Sequence, residues 1–186
     1  MQRIVLFLTL LISLQASADD APWLAEARKV ASTVPPKLLQ VLEAEIAKGG
    51  PESAIEACRE KAPAMTKAAS EQTGWNIRRV SLRNRNPKAV PDTWERLALE
   101  DFDRRAAAGE GPATLERSEI VVEAGRKEYR YMKALPMQPI CLGCHGVPES
   151  LKPEVTEKLQ ALYPTDKGVG YAVGQIRGAM TLRKAP

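Results

Sequence analysis

Cys141-Leu142-Gly143-Cys144-His145 constrains this chain more than any other stretch. Two cysteines separated by two residues, with histidine directly after the second, form the attachment pattern of c-type haem. The spacing has a chemical reason. Each thiol adds across one porphyrin vinyl group, and the two-residue gap lets both sulfurs reach their vinyls along one edge. The next residue then falls beneath the iron, where an imidazole nitrogen becomes the proximal ligand. His145 is the one histidine in 186 residues, so no second imidazole exists to complete a bis-histidine iron.

Other chemistries use the same residues. Cys58, Cys141, Cys144 and His145 together supply four N and S ligands, as many as tetrahedral zinc requires. A thioredoxin-like dithiol belongs just after a strand and at the head of a helix, inside a βαβ unit. Here Pro136, Pro139, Gly143, Gly146 and Pro148 surround the motif, which reads as loop. A structural disulfide is the remaining alternative. Export, read from the N-terminus, favours a single covalently attached haem c.

Residues 1–18 have the layout of a secretory signal. Arg3 supplies the positive start, residues 4–14 the apolar run, and Ala16-Ser17-Ala18 a small-residue cleavage site. The run is shorter than the roughly 20 apolar residues of a membrane span, and no second one follows. The expectation is a cleaved signal over 1–18 and one domain over 19–186, soluble and without a membrane partner, in a bacterial periplasm. Lys and Arg number 27 against 23 Asp and Glu, with the signs interspersed. That balance is too mild to indicate nucleic acid, though it suits docking to an acidic redox partner. With two cysteines assigned to haem, Cys58 is left over.

Helical periodicity runs through 22–48, where Leu24, Ala27, Val30, Val34, Leu38, Leu42 and Ile46 recur around Pro35-Pro36, expected to kink or break the helix. Gly49-Gly50 stop it, and Pro51 suits the first turn of a second helix over about 51–71. There Ile55, Cys58, Ala62, Met65 and Ala69 share one apolar face. Cys58 on that face reads as a small core hydrophobe, or as part of a surface on which a flat macrocycle could lie. Pro63 is expected to interrupt this helix, and Met65 is a further candidate iron ligand.

A strand is expected within 75–82 and a loop over 83–91. Their arginines, Arg79 and Arg85 among them, could hold haem propionates through bidentate hydrogen bonds or form a solvated basic edge. Asp92 and Glu95 make a capping-box start for a helix over about 93–108. Segments 114–124 and 127–133 read as a hairpin turning at Gly125, whose Tyr129, Arg130 and Tyr131 either reach propionates or pack the sheet. Pro153 opens a short helix to about Tyr163, and 171–182 supplies final strands.

Several separated pieces then carry a resemblance: Ala62-Pro63, Arg79-Val80-Ser81-Leu82, Arg85-Asn86-Pro87, Pro91-Asp92-Thr93-Trp94-Glu95, Arg130-Tyr131-Met132, the run from Cys141 to Gly146, Asp166-Lys167-Gly168-Val169-Gly170-Tyr171 and Gly174-Gln175-Ile176-Arg177-Gly178-Ala179. In this order they resemble a bacterial family of exported c-type haem proteins with a PAS-like fold. Its members occur as small periplasmic proteins and as ectodomains of sensor kinases and chemoreceptors. The resemblance implies an α+β fold: a PAS-like antiparallel sheet with N-terminal helices, packed around one covalently bound haem. It also implies that the cysteine just upstream of the Ala-Pro pair, Cys58, is the second axial ligand beside His145. The family loop often reads Arg-Asn-Pro-x-Asn-x-Pro, and Ala89 departs from it at the second asparagine.

A His/Cys ligand set has consequences. Thiolate stabilises ferric over ferrous iron and implies a low potential. Reduction would loosen Cys58 and open a place for CO or NO, or for Met65. The expected function is a redox or diatomic-gas sensor module acting on a redox or signalling protein, with a periplasmic electron-transfer cytochrome as the alternative. A peroxidase-like enzyme ranks last, because the chain has no distal histidine.

Overall fold

The computed structural model describes residues 21–186, so the predicted signal over 1–18 lies outside the described residues. The first helix, α1, spans Pro22–Thr73. It is two arms, 22–48 and 51–73, because Gly49 and Gly50 leave helical geometry. Gly50 has φ 82°, a left-handed conformation that only glycine adopts at little cost. The paired glycines thus separate the arms where their sequence indicates.

The other breaks expected within α1 do not occur. Pro35-Pro36 and Pro63 remove backbone donors, yet the dihedrals stay helical through all three. Around the first pair, Ala27, Val30, Ala31 and Val34 are buried against the sheet and hold the arm in place. The lost hydrogen bonds are offset by packing.

Four strands follow: β1 (Asn76–Val80), β2 (Glu116–Glu123), β3 (Arg126–Pro136) and β4 (Ile176–Lys184). They form one antiparallel sheet in the order β1-β4-β3-β2. Strands β2 and β3 are the expected hairpin, turning through Ala124 and Gly125, both with positive φ. Only one strand comes from the C-terminal segment, because 171–175 is taken up by turns. Gly178 allows the closest approach there, since a Cβ on it would collide with the Val80 carbonyl oxygen.

Side chains alternate across a strand, so the register assigns the two faces. Ile77, Leu182 and Tyr131 stand in line across β1, β4 and β3 and meet the first arm of α1. Val80, Ala179 and Ala134 line up on the other face with Ala98, Leu99 and Phe102 of helix α2 (Thr93–Ala107).

The capping box of α2 forms as expected, with the Glu95 N–H donating to Asp92 at 2.8 Å and the Asp92 N–H to Glu95 at 2.9 Å. Glu95 is fully buried and also accepts from Arg78 (3.0 Å), Arg183 (3.1 Å) and Thr181 (3.0 Å), while Arg130 donates to Asp92 at 2.6 Å. Arg130 therefore ties the sheet to α2. Tyr131 is buried beneath α1, its hydroxyl donating to Glu116 at 2.7 Å, so the packing alternative describes both residues. This is an α+β, PAS-like architecture. No described helix is long and apolar enough to cross a membrane.

Candidate functional site

The cysteine motif is helical where loop was expected. A 3-10 turn over Pro139–Cys141 runs into α3, Leu142–His145. Proline and glycine bound this turn without preventing it. Pro139 occupies a first-turn position, where its missing N–H costs nothing, and the Gly146 N–H closes the turn on the Leu142 carbonyl at 2.9 Å. At about 100° per residue, Cys141, Cys144 and His145 project within an arc of roughly 100° on one side. Local structure alone brings the three together.

The second arm of α1 stands against this turn. A Cβ on Gly143 would lie 3.6 Å from the Pro51 ring, and Cys144 Sγ is 3.8 Å from the Pro51 carbonyl oxygen. Cys144 packs with Ile55 and with Val155 and Leu159 of helix α4 (Pro153–Leu162). The break at Gly49-Gly50 thus directs the second arm past the motif. Cys58 lies seven residues after Pro51 on that arm, roughly 10 Å along the axis. All three cysteines are half-buried and free.

Electrostatics ties Cys58 to the motif. Burial pushes the Cys58 thiol pKa up, the Arg79 and Arg85 guanidinium groups pull it down, and the Cys141 thiol adds to the rise. Burial likewise pushes Cys144 up to about 11. Cys58 and Cys144 hold their protons at neutral pH unless further positive charge stands beside them.

His145 is held neutral. Burial, then the Arg177 and Arg85 charges, place its pKa well below the ordinary 6.5. Nδ1 lies 2.5 Å from the Gly168 carbonyl oxygen and 3.2 Å from Arg177 Nε. Both cannot be hydrogen bonds to one nitrogen, and the shorter contact to an acceptor places the proton on Nδ1. Nε2 is then left with its lone pair free, the tautomer a metal-binding histidine requires.

The surrounding loops are held by arginine. Arg85, 12% exposed, donates to Asp166 at 2.8 Å and to the Cys144 carbonyl at 2.5 Å. It therefore clamps the motif backbone. Arg177 donates to Ser81 Oγ (3.0 Å) and the Arg83 carbonyl (3.1 Å), and its own pKa is lowered by burial to about 10. A Cβ on Gly168 would fall 2.6 Å from Arg177 Nη2, so the guanidinium would have to shift to admit a side chain there. The Tyr171 N–H donates to the His145 carbonyl at 3.0 Å. Ala89, the departure from the family loop, causes no opening: its N–H bonds the Asn86 carbonyl, and its own carbonyl accepts from Ser81.

Arg79 lies on the α1 face of β1, two residues past Ile77. It is exposed, yet protein crowds it enough that desolvation lowers its pKa, against the opposing effects of Cys58 and Cys141. Met65 is half-buried further along the second arm, and Tyr131 is committed to Glu116; neither enters the cluster's hydrogen-bond and charge network. Sequence reasoning did not single out Arg177, Asp166 or Gly168 as site residues. Their signal was present in the Asp166-Lys167-Gly168 run, where an acid precedes a glycine beside which a guanidinium packs.

Among the described residues no three His, Cys, Asp or Glu side chains close on one point as metal ligands, which leaves the tetrahedral zinc alternative without a geometry. Two cavities open elsewhere, of about 580 Å³ beside Glu52 and Glu157 and about 510 Å³ beside Leu99 and Tyr171. Neither is lined by Cys58, Cys141, Cys144 or His145, so the candidate site rests on its side-chain arrangement.

Comparison with known proteins agrees with the fold. The chain is similar to a solved structure described as the cyanobacterial heme-protein Tll0287, with a TM-score of 0.64 and 22% identity over 89% of this chain and 96% of that one. No curated protein matches it. The profile of the Tll0287-like family matches residues 15–184, nearly the whole length, and the chain accordingly belongs to that family.

Proposed function

We propose that this chain is an exported haem protein of the bacterial periplasm, carrying one haem c on Cys141 and Cys144 with His145 and Cys58 as axial ligands, and working as a redox or gas sensor module. One observation carries the reading: two free thiols and a half-buried neutral imidazole share one side of a helical turn, with a third thiol under the same arginines. The donor set suits iron, and the guanidinium-rich surroundings suit a macrocycle with anionic propionates. Haem, when bound, supplies an iron that changes charge on reduction and can take a diatomic ligand.

The chain's own residues do the rest. The Gly168 carbonyl orients the imidazole through Nδ1–H, and Arg85 holds the motif backbone at Cys144. Arg79 has Cys58 and Cys141 in its field. Cys58 retains its proton without an adjacent cation, since burial outweighs Arg79 and Arg85. Such a group is a ligand the protein can release, which favours sensing over permanent six-coordination. The similarity to a haem protein in the same family supports the cofactor.

Electron transfer is the second reading. It draws on the groove of about 580 Å³ between the second arm of α1 and α4, lined by Glu52, Glu56, Glu154 and Glu157 together with Lys158; Glu52 also helps to raise the Cys144 pKa. An acidic rim there suits a basic redox partner.

Optical and low-temperature EPR spectra of the purified protein and of Cys58→Ala, before and after dithionite and CO, separate the readings. A low-spin thiolate signal lost in Cys58→Ala, with CO bound by the reduced protein, is the expected result. An unchanged spectrum in Cys58→Ala removes the thiolate ligand and with it the sensing reading. A reduced protein that keeps its thiolate and refuses CO makes it an electron carrier.

A further inference from the structure

The cavity of about 510 Å³ lies on the α2 side of the sheet, away from the cysteines, and falls within the roughly 300–1,000 Å³ of small-molecule sites. Its construction is graded. Leu99 and Ile176, both buried, form the floor, with Leu82 and Ala106 beside them. Arg83 and Asp103 are exposed and stand at the mouth. The interior therefore favours an apolar group and the rim a charged one.

The two charges at the mouth are of opposite sign and do not pair. Asp103 makes no hydrogen bond or ion pair among the described residues. Arg83 donates one Nη2 bond to the Val169 carbonyl, and its guanidinium lies 4.1 Å above the Tyr171 ring. Arg83 is nevertheless close enough for its field to act on Asp103, whose pKa burial raises. An acid and a base that sense each other across a gap, without closing it, frame a space for a ligand carrying both complementary charges.

We infer that this cavity binds a small zwitterion, an α-amino acid with an apolar side chain, its carboxylate on Arg83, its ammonium on Asp103 and its side chain on Leu99 and Ile176. A fatty acid would leave Asp103 facing apolar or like-charged surface, and an alkyl amine would leave Arg83 without its anion. The zwitterion satisfies both. The site is independent of haem attachment, since none of the cofactor residues proposed above lines it. Tyr171 connects the two, because its ring lies under Arg83 and its N–H bonds the His145 carbonyl.

The test is calorimetric titration of the full holoprotein with leucine, 4-methylpentanoate and isoamylamine, repeated with Asp103→Asn and Arg83→Gln. The expected result is saturable leucine binding, weakened about tenfold or more when either ligand charge is removed, and by as much in Asp103→Asn, as loss of a charged hydrogen bond implies. Asp103 is exposed and unpaired, so its variant folds even if Arg83→Gln, which loses the Val169 bond, does not. No saturable heat with leucine at millimolar concentration overturns the proposal. Equal binding of 4-methylpentanoate or isoamylamine, or unaltered leucine binding in Asp103→Asn, does the same. The Soret spectrum recorded on each sample reports the cofactor separately, so failure of this site is distinguishable from failure of the haem reading.

Discussion

Arg78 and Arg79 are neighbours in β1, and strand alternation sends them to opposite faces and different surroundings. Arg78 joins Arg130 and Arg183 around Asp92 and Glu95, where every guanidinium has a carboxylate within 4 Å. Arg79 belongs with Arg85 and Arg177 around the cysteine motif, where, among the described residues, Asp166 is the carboxylate in an ion pair. The first cluster is nearly neutral and fastens α2 to the sheet. The second keeps a surplus of positive charge beside three thiols and a neutral imidazole. Balanced charge is architecture here, and unbalanced charge marks a place made for an anionic group, which the proposed haem propionates and thiolate would supply.

That contrast can be broken by substitution. Glu95→Ala removes the buried carboxylate that Arg78, Arg130 and Arg183 share, and should cost about 3–5 kcal/mol in urea unfolding, as for a buried ion pair deprived of one member. A loss below about 1 kcal/mol would mean that the arginines find water and that the network does not hold α2. Arg85→Met keeps the packing of the stem but frees Asp166 and the Cys144 carbonyl. The expected loss is smaller, about 2–3 kcal/mol for charged hydrogen bonds, and is accompanied by an altered Soret band. An altered stability with an unaltered spectrum would make Arg85 a scaffold residue alone.

The smallest expected effect is one of pH. Burial alone would raise the Asp92 carboxyl, but the Glu95 N–H, Arg130 and Arg183 together hold it below its ordinary 3.8. A depressed carboxyl contributes stability that is present above its unfolded pKa and lost as pH falls through the folded one. Acid titration of stability should therefore weaken below about pH 4, and Asp92→Asn should flatten that limb. A limb that keeps its shape in Asp92→Asn assigns the acid sensitivity to other carboxylates.

Local chemistry made much of the fold legible. The two glycines after Lys48, the Asp92–Glu95 capping box and the turn at Gly125 each occupy the places their residues demand. Pro35-Pro36 misled, because proline reports a lost hydrogen bond and says nothing of the packing that offsets it. The motif misled in the opposite sense, since its prolines and glycines delimit a helical turn that composition reads as loop. For the site, Cys141, Cys144 and His145 were visible as a pattern. Arg79 and Arg85 were visible only as two among many arginines, and Tyr131 had the same standing before the sheet committed it to Glu116.

Sequence by itself determined the break at Gly49-Gly50, the capped start of α2 and the hairpin, because those depend on residues within a turn or two of one another. Only the tertiary structure decided that Cys58 falls under the same arginines as the motif, that the Gly168 carbonyl sets the proton on His145, and that Asp103 faces Arg83 without pairing. Each of those joins segments tens of residues apart. The energy that brings them together is burial of the two apolar faces of the sheet, a property of the whole chain that no short stretch contains.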